Sequence, residues 1–215
     1  MNPAAPPPAR SPLRRLPWIL ALCVGLGASG VIFGLSTVLA RHEPLALGQL
    51  PTIEPPEGEE EAWAPVIAAF EKLPETQLAV LKRHRPALTA LAAVDLIASA
   101  VLLLGGLRAR RRTPGTLRLL TTGLVLSQAY AALKLGLYSW VQVDAYRALA
   151  PTVQAVAAQG EVGAAAAQAV LFAQAAAIVI MGAVALLELG FYVYAHRYLR
   201  RPPVAAFLAG EELRE

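Results

Sequence analysis

Cysteine is almost absent: Cys23 stands alone in a chain of 215 residues. One thiol can form neither an internal disulfide nor a paired-thiol redox centre, which excludes the membrane oxidoreductases that work through cysteine pairs. Histidine is nearly as scarce. His42, His84 and His196 lie far apart, and none is placed at ligand spacing with another histidine or the cysteine. Charge is thin as well, at 16% of residues against about 25% in soluble domains. Lysine is limited to Lys72, Lys82 and Lys134, while arginine occurs 16 times, the bias of a GC-rich bacterial coding sequence. There is no P-loop pattern and no repeated helix pair of the sort that builds inverted-repeat transporters.

What is present is apolar, 56% of the chain, and it falls in long uncharged blocks rather than in amphipathic periods. Composition of this kind belongs to membrane proteins. The first block, residues 17–40, exceeds the roughly 20 residues that cross a hydrocarbon core of about 30 Å at 1.5 Å per residue. Blocks over 86–107, 117–141 and 170–195 do the same. The expected fold is therefore all-α, an integral membrane four-helix bundle. A cleavable signal peptide is the rival reading of the first block, because Arg10, Arg14 and Arg15 resemble a charged n-region and Val38-Leu39-Ala40 a cleavage site. Apolar cores of signal peptides run only about 7 to 15 residues, so a retained span is expected. Leu22 ahead of Cys23 argues against a lipoprotein signal.

Between these blocks the sequence predicts a Pro-rich, disordered basic tail over 1–16, an extracytoplasmic loop over 41–85, a tight basic turn over 108–116, an Ala-rich helical loop over 142–169 and a tail over 196–215. The first half of the 41–85 loop holds Glu54, Glu57, Glu59, Glu60 and Glu61 among prolines and should lack regular structure. Its second half carries Trp63, Ile67, Phe70, Leu78 and Leu81 near helical spacing. One or two amphipathic helices follow from this, with Pro74 restarting a helix, lying on the membrane surface or capping the bundle. The 142–169 segment is expected to be helical on either side of Pro151 and Gly160.

Four spans put both termini on the side of the 108–116 turn. That side collects twelve basic residues, against six on the other spread over longer loops. The positive-inside rule then places the N and C termini in the cytoplasm, with the cytoplasmic (inner) membrane as the location. The arginines flank apolar blocks instead of gathering on one face among aromatics, so no nucleic-acid partner is expected. Trp18, Phe191, Tyr192, Tyr194 and Tyr198 mark the inner boundary, and Tyr138 and Trp140 the outer one.

Two short motifs dissolve in this frame. Gly25-Leu26-Gly27-Ala28-Ser29-Gly30 matches the dinucleotide pattern G-x-G-x-x-G but lies inside one uncharged block, without the βαβ unit that gives the pattern meaning. The same residues fit the G-x-S-G of rhomboid intramembrane proteases, yet no histidine lies at that depth to act as base. No cofactor and no enzymatic activity are expected. Gly27, Gly30 and Gly34 instead share a helical face on which a neighbouring helix can approach closely.

Three ionisable residues sit inside the blocks: Asp95, Lys134 and Glu188. Such residues are costly at membrane depth and face protein or cavity, paired where a partner exists. Asp95 counts as roughly 13 Å, and Lys134 as roughly 10 Å, from the outer boundary, so the two are expected to pair across a hairpin, with Ser99 on the face of Asp95. Ser127, Tyr130, Lys134 and Tyr138 add a polar stripe expected to face inward. Glu188 is expected nearer the cytoplasm, partnered by Thr121, Thr122 or Arg118. The functional expectation is a non-enzymatic accessory or interaction protein whose partners are membrane lipid and another membrane protein or a second copy of itself. The alternative is a small channel or transporter subunit built on the Asp95 and Lys134 cluster.

Overall fold

The computed structural model describes residues 13–39, 58, 60–111, 113 and 115–210. The 1–12 tail, most of the acidic half of the 41–85 loop and the last five residues lie outside the described residues. Five helices and no strand occur among those described: α1 (Leu16–Leu39), α2 (Glu60–Arg110), α3 (Thr116–Ala157), α4 (Glu161–Leu199) and α5 (Pro202–Ala209). The first span of the sequence reading thus lands within a residue of α1. The all-helical class holds.

The main departure is length. Residues 60–110 form one helix of 51 residues, so the surface helix, its expected restart at Pro74 and the second span are a single element. The reason is visible along α2 itself. Val66, Leu73, Val80, His84, Leu91, Ala98, Leu102 and Ala109 are all buried. They recur at steps of four and seven, the repeat that keeps one seam against neighbouring helices. Pro74 and Pro86 fall beside that seam, half-buried and exposed respectively. A helix-interior proline costs about 3 kcal/mol, but continuous packing on the opposite face outweighs the lost hydrogen bonds. Pro151 is likewise an exposed residue inside α3, which runs through it to Ala157. Of the two breaks expected, at Pro151 and at Gly160, the second occurs: Gly160 has a φ of 91°, the left-handed conformation glycine supplies cheaply.

The 196–215 segment, expected simply as a tail, also contains a helix. Pro202 occupies the first turn of α5 and Gly210 closes it in the left-handed region at φ 80°. Proline at the start and glycine just past the end are a readable signature, and Val204 and Leu208 are fully buried.

The helices divide between two compact units. The first comprises Met1–Gly34, Val94–Tyr130 and Leu189–Glu215; the second comprises Leu35–Ala93 and Ala131–Glu188. In the first unit, α1 and α2 meet at glycines. A Cβ on Gly27 would lie 2.8 Å from the backbone nitrogen of Leu103 and 2.9 Å from the carbonyl oxygen of Ser99, and one on Gly30 would strike the Ser99 hydroxyl. Gly34 is buried on the same helix. The second unit has its own apolar core of Leu73, Leu149, Val153 and Ala167, with Phe70 and Val170 against it.

Among the described residues, three helical segments are long and apolar enough to cross a membrane: Leu16–Thr37, Val66–Arg110 and Glu161–Leu199. α3 is not among them, since Thr121, Thr122, Ser127, Gln128, Tyr130 and Lys134 dilute its apolar stretch. α4 is the least covered of the three, with only 6% of its most apolar window buried against 28% for α1. Phe172, Val179, Ile180 and Leu187 are among the large side chains it leaves exposed.

Candidate functional site: polar groups along the helices

Lys134 on α3 and Glu188 on α4 form an ion pair in the second unit. The Lys134 ammonium donates to Glu188 Oε2 at 3.1 Å and to Oε1 at 3.4 Å. Both side chains are about three-quarters covered, 27% and 25% exposed. This corrects one expectation: Glu188 takes the Lys134 ammonium rather than Thr121, Thr122 or Arg118. The depth count misjudged Glu188 because it ended the span near residue 195, whereas α4 runs on to Leu199.

Asp95 belongs to the first unit, where the Ser99 hydroxyl donates to its Oδ1 at 3.0 Å. The shared face expected of these two residues is therefore present, one helical turn apart, and Ser99 is buried. The hydroxyl also lies against Gly30, so the glycine face of α1 covers the Asp95 and Ser99 pair. Tyr130 is half-buried on α3 in this unit. Of the expected stripe, Ser127 is fully buried, while Tyr130, Lys134 and Tyr138 are half-covered. Next to Ser127, Gln128 donates from Nε2 to the carbonyl oxygen of Tyr192 on α4 at 3.2 Å. That oxygen lies inside a helix, so the contact is a second acceptance by a carbonyl already in the helical ladder, a common use of its spare lone pair.

A further cluster, missed in the sequence, joins α2 to α3 in the second unit. Asp144 Oδ2 lies 2.9 Å from His84 Nε2 and accepts from Arg83 Nη1 at 3.2 Å. The Trp140 ring meets His84 edge to face, centroids 4.7 Å apart. His84 is 5% exposed, against 73% for the Arg83 side chain. The hydrogen bond from His84, joined by the Arg83 charge, holds the Asp144 carboxyl below its ordinary range. The signal that could have found His84 is its place on the buried seam of α2, four residues after Val80 and seven before Leu91.

The first unit gathers arginine. Arg14 and Arg15 precede α1, Arg108, Arg110 and Arg111 close α2, Arg118 opens α3, and Arg197, Arg200 and Arg201 end α4. Asp95 is the one carboxylate among the described residues of this unit. Arg15 Nη1 donates to the Tyr194 hydroxyl at 2.9 Å. The Tyr194 ring stacks near Tyr198 with centroids 6.2 Å apart, and the Arg201 guanidinium lies 5.5 Å from the Tyr198 ring centre.

The class these features define is an all-helical protein with helices of the transmembrane type, fastened by polar contacts between helices. No protein-family model matches the chain, no curated protein matches its sequence, and no solved structure matches its fold.

Proposed function

We propose that this is a multi-pass protein of the cytoplasmic membrane with four spans, both termini in the cytoplasm, and a non-enzymatic role as an accessory or interaction protein. The observation that carries the reading is the pairing of Lys134 with Glu188. A lone ammonium would make α3 an expensive span, whereas a carboxylate from α4 within hydrogen-bond reach offsets much of that cost. α3 then joins α1, α2 and α4 as the fourth crossing, which returns the C terminus to the side of the N terminus.

Polar groups of the helices hold one another: Lys134 holds Glu188, Ser99 holds Asp95, and Gln128 holds the backbone. Contacts of this type fix which helices pack and in what register. They support a scaffold more than an ion path, so the channel or transporter alternative has less behind it. Outward, the bare apolar surface of α4 fits lipid or the helix of a partner membrane protein.

The experiment is isolation of the intact protein from its native membrane in a mild detergent, with chemical identification of what accompanies it. A second membrane protein in fixed proportion is the expected result. Ion or solute flux through proteoliposomes that contain this chain alone, abolished by Lys134→Met, would overturn the assignment in favour of the transporter alternative.

A further inference from the structure

We infer that Arg15, Tyr194 and Arg201 form a cradle for the phosphate of an anionic phospholipid headgroup at the arginine-rich end of the first unit. The inference rests on the membrane reading of the helices and deepens it by naming a ligand and a place.

The cradle is assembled from distant parts of the chain. Arg15 stands 179 positions from Tyr194, and their hydrogen bond ties the start of α1 to the last turns of α4. Arg201 is set by α5, whose buried Val204 and Leu208 anchor the short helix just beyond it. Its own side chain makes no capping hydrogen bond. Pro202 and Pro203 lack backbone N–H groups, so the donors at this point are side chains and not a helix end.

The donor count exceeds the acceptors. A guanidinium carries five N–H donors in a plane; Arg15 directs one nitrogen to Tyr194. Arg201 lies over the Tyr198 ring, an arrangement that engages the π face and leaves hydrogen-bond donors at its edge. The Tyr194 oxygen accepts from Arg15, which leaves its own proton to donate. Among the described residues neither Arg15 nor Arg201 has a carboxylate within 4.0 Å. Planar guanidinium groups suit bidentate recognition of phosphate oxygens.

A headgroup is favoured over an acidic protein by the company the cradle keeps. Trp18, 76% exposed in the first turn of α1, and Tyr194, 40% exposed, place amphipathic rings beside the arginines. Trp and Tyr with neighbouring Arg at the end of an apolar helix are the composition of the headgroup layer. The same chemistry would accept free inorganic phosphate, so the test separates the two sources.

The full chain is purified in a neutral detergent, delipidated, and titrated with fluorescent phosphatidylglycerol and fluorescent phosphatidylcholine. The wild type is expected to prefer phosphatidylglycerol about tenfold, as charge-assisted contacts of this kind allow. R15Q/R201Q should lose that preference. R108Q/R110Q, which removes equal charge from the same end, should keep it. Y194F retains the ring and should lose about threefold, the scale of one hydrogen bond; if R15Q/R201Q fails to fold, this variant and R15K/R201K carry the test. Equal loss in R108Q/R110Q, or no preference in the wild type, would overturn the cradle. So would full displacement of the labelled lipid by millimolar inorganic phosphate, which would make the ligand a free anion. Lipid preference in micelles is independent of which face the end occupies, whereas the accessibility of terminal tags reports topology alone.

Discussion

Removing the Lys134 ammonium should expose how the long helices are held. At 3.1 Å, the Coulomb attraction at an effective dielectric of about 20 is roughly 5 kcal/mol. Desolvation of both groups offsets much of this, and a quarter of each side chain remains exposed. The pair therefore falls between surface bridges, at about 0 to 1 kcal/mol, and fully buried ones, whose breakage costs about 3 to 5 kcal/mol. Lys134→Met should cost about 2 kcal/mol, because Glu188 is left among apolar neighbours without its partner. Glu188→Met should cost a similar amount, yet the double variant should come within about 1 kcal/mol of the parent, since two apolar chains then replace two charges. The exchange K134E/E188K should also recover most of the loss. Unfolding of the purified chain in mixed micelles, titrated with a denaturing detergent, measures all four. Additive single effects, with a coupling below about 0.5 kcal/mol, would refute the reasoning, because residues that truly interact give larger coupling.

Three other perturbations follow from the packing and the Asp144 cluster. Gly27→Leu should weaken the α1 and α2 contact by about 3 kcal/mol or more, because the obstruction is backbone that cannot step aside; Gly25→Ala, with open space around it, should be neutral or stabilising by up to about 1 kcal/mol in the same unfolding assay. Asp144→Asn should flatten the acid limb of stability. The Asp144 carboxyl is depressed by His84 and Arg83, so its contribution is present above the unfolded carboxylate value near 3.9 and fades as pH falls through the lower folded value. Melting curves between neutral pH and pH 3 should thus fall more steeply for the parent than for the variant. Pro151→Ala should raise the melting temperature, since alanine restores a helix hydrogen bond and relieves up to about 3 kcal/mol of helix-interior proline cost.

The sequence carried the fold where a single property decided it. An uncharged block fixes α1 within a residue, and the Gly27 and Gly30 face was legible because only small residues admit a helix so closely. Proline misled where two terms compete. At Pro74, Pro86 and Pro151 the local penalty is explicit in the residue, while the compensating burial of Val80, Leu91 and Val153 depends on neighbours the sequence does not name. The Glu188 partner was misjudged for a related reason: depth along a helix can be counted only from its end, and charged loops conceal ends that lie beyond them. The role of His84 escaped notice because a histidine between Arg83 and Arg85 resembles a solvated boundary residue until its seam is traced through both prolines. α5 was readable in principle from Pro202 and Gly210 and was passed over because eight residues make a weak pattern.

The number of crossings tests the account most directly. Cys23 is buried in α1, and its replacement by alanine leaves a background for single cysteines at Glu71 and Gln154, with tags fused to each terminus. In sealed cells the account predicts that an impermeant thiol reagent labels both cysteines from outside, while both tags stay protected until the membrane is opened. Tags on opposite faces, the outcome for three crossings with α3 left out of the bilayer, would contradict it.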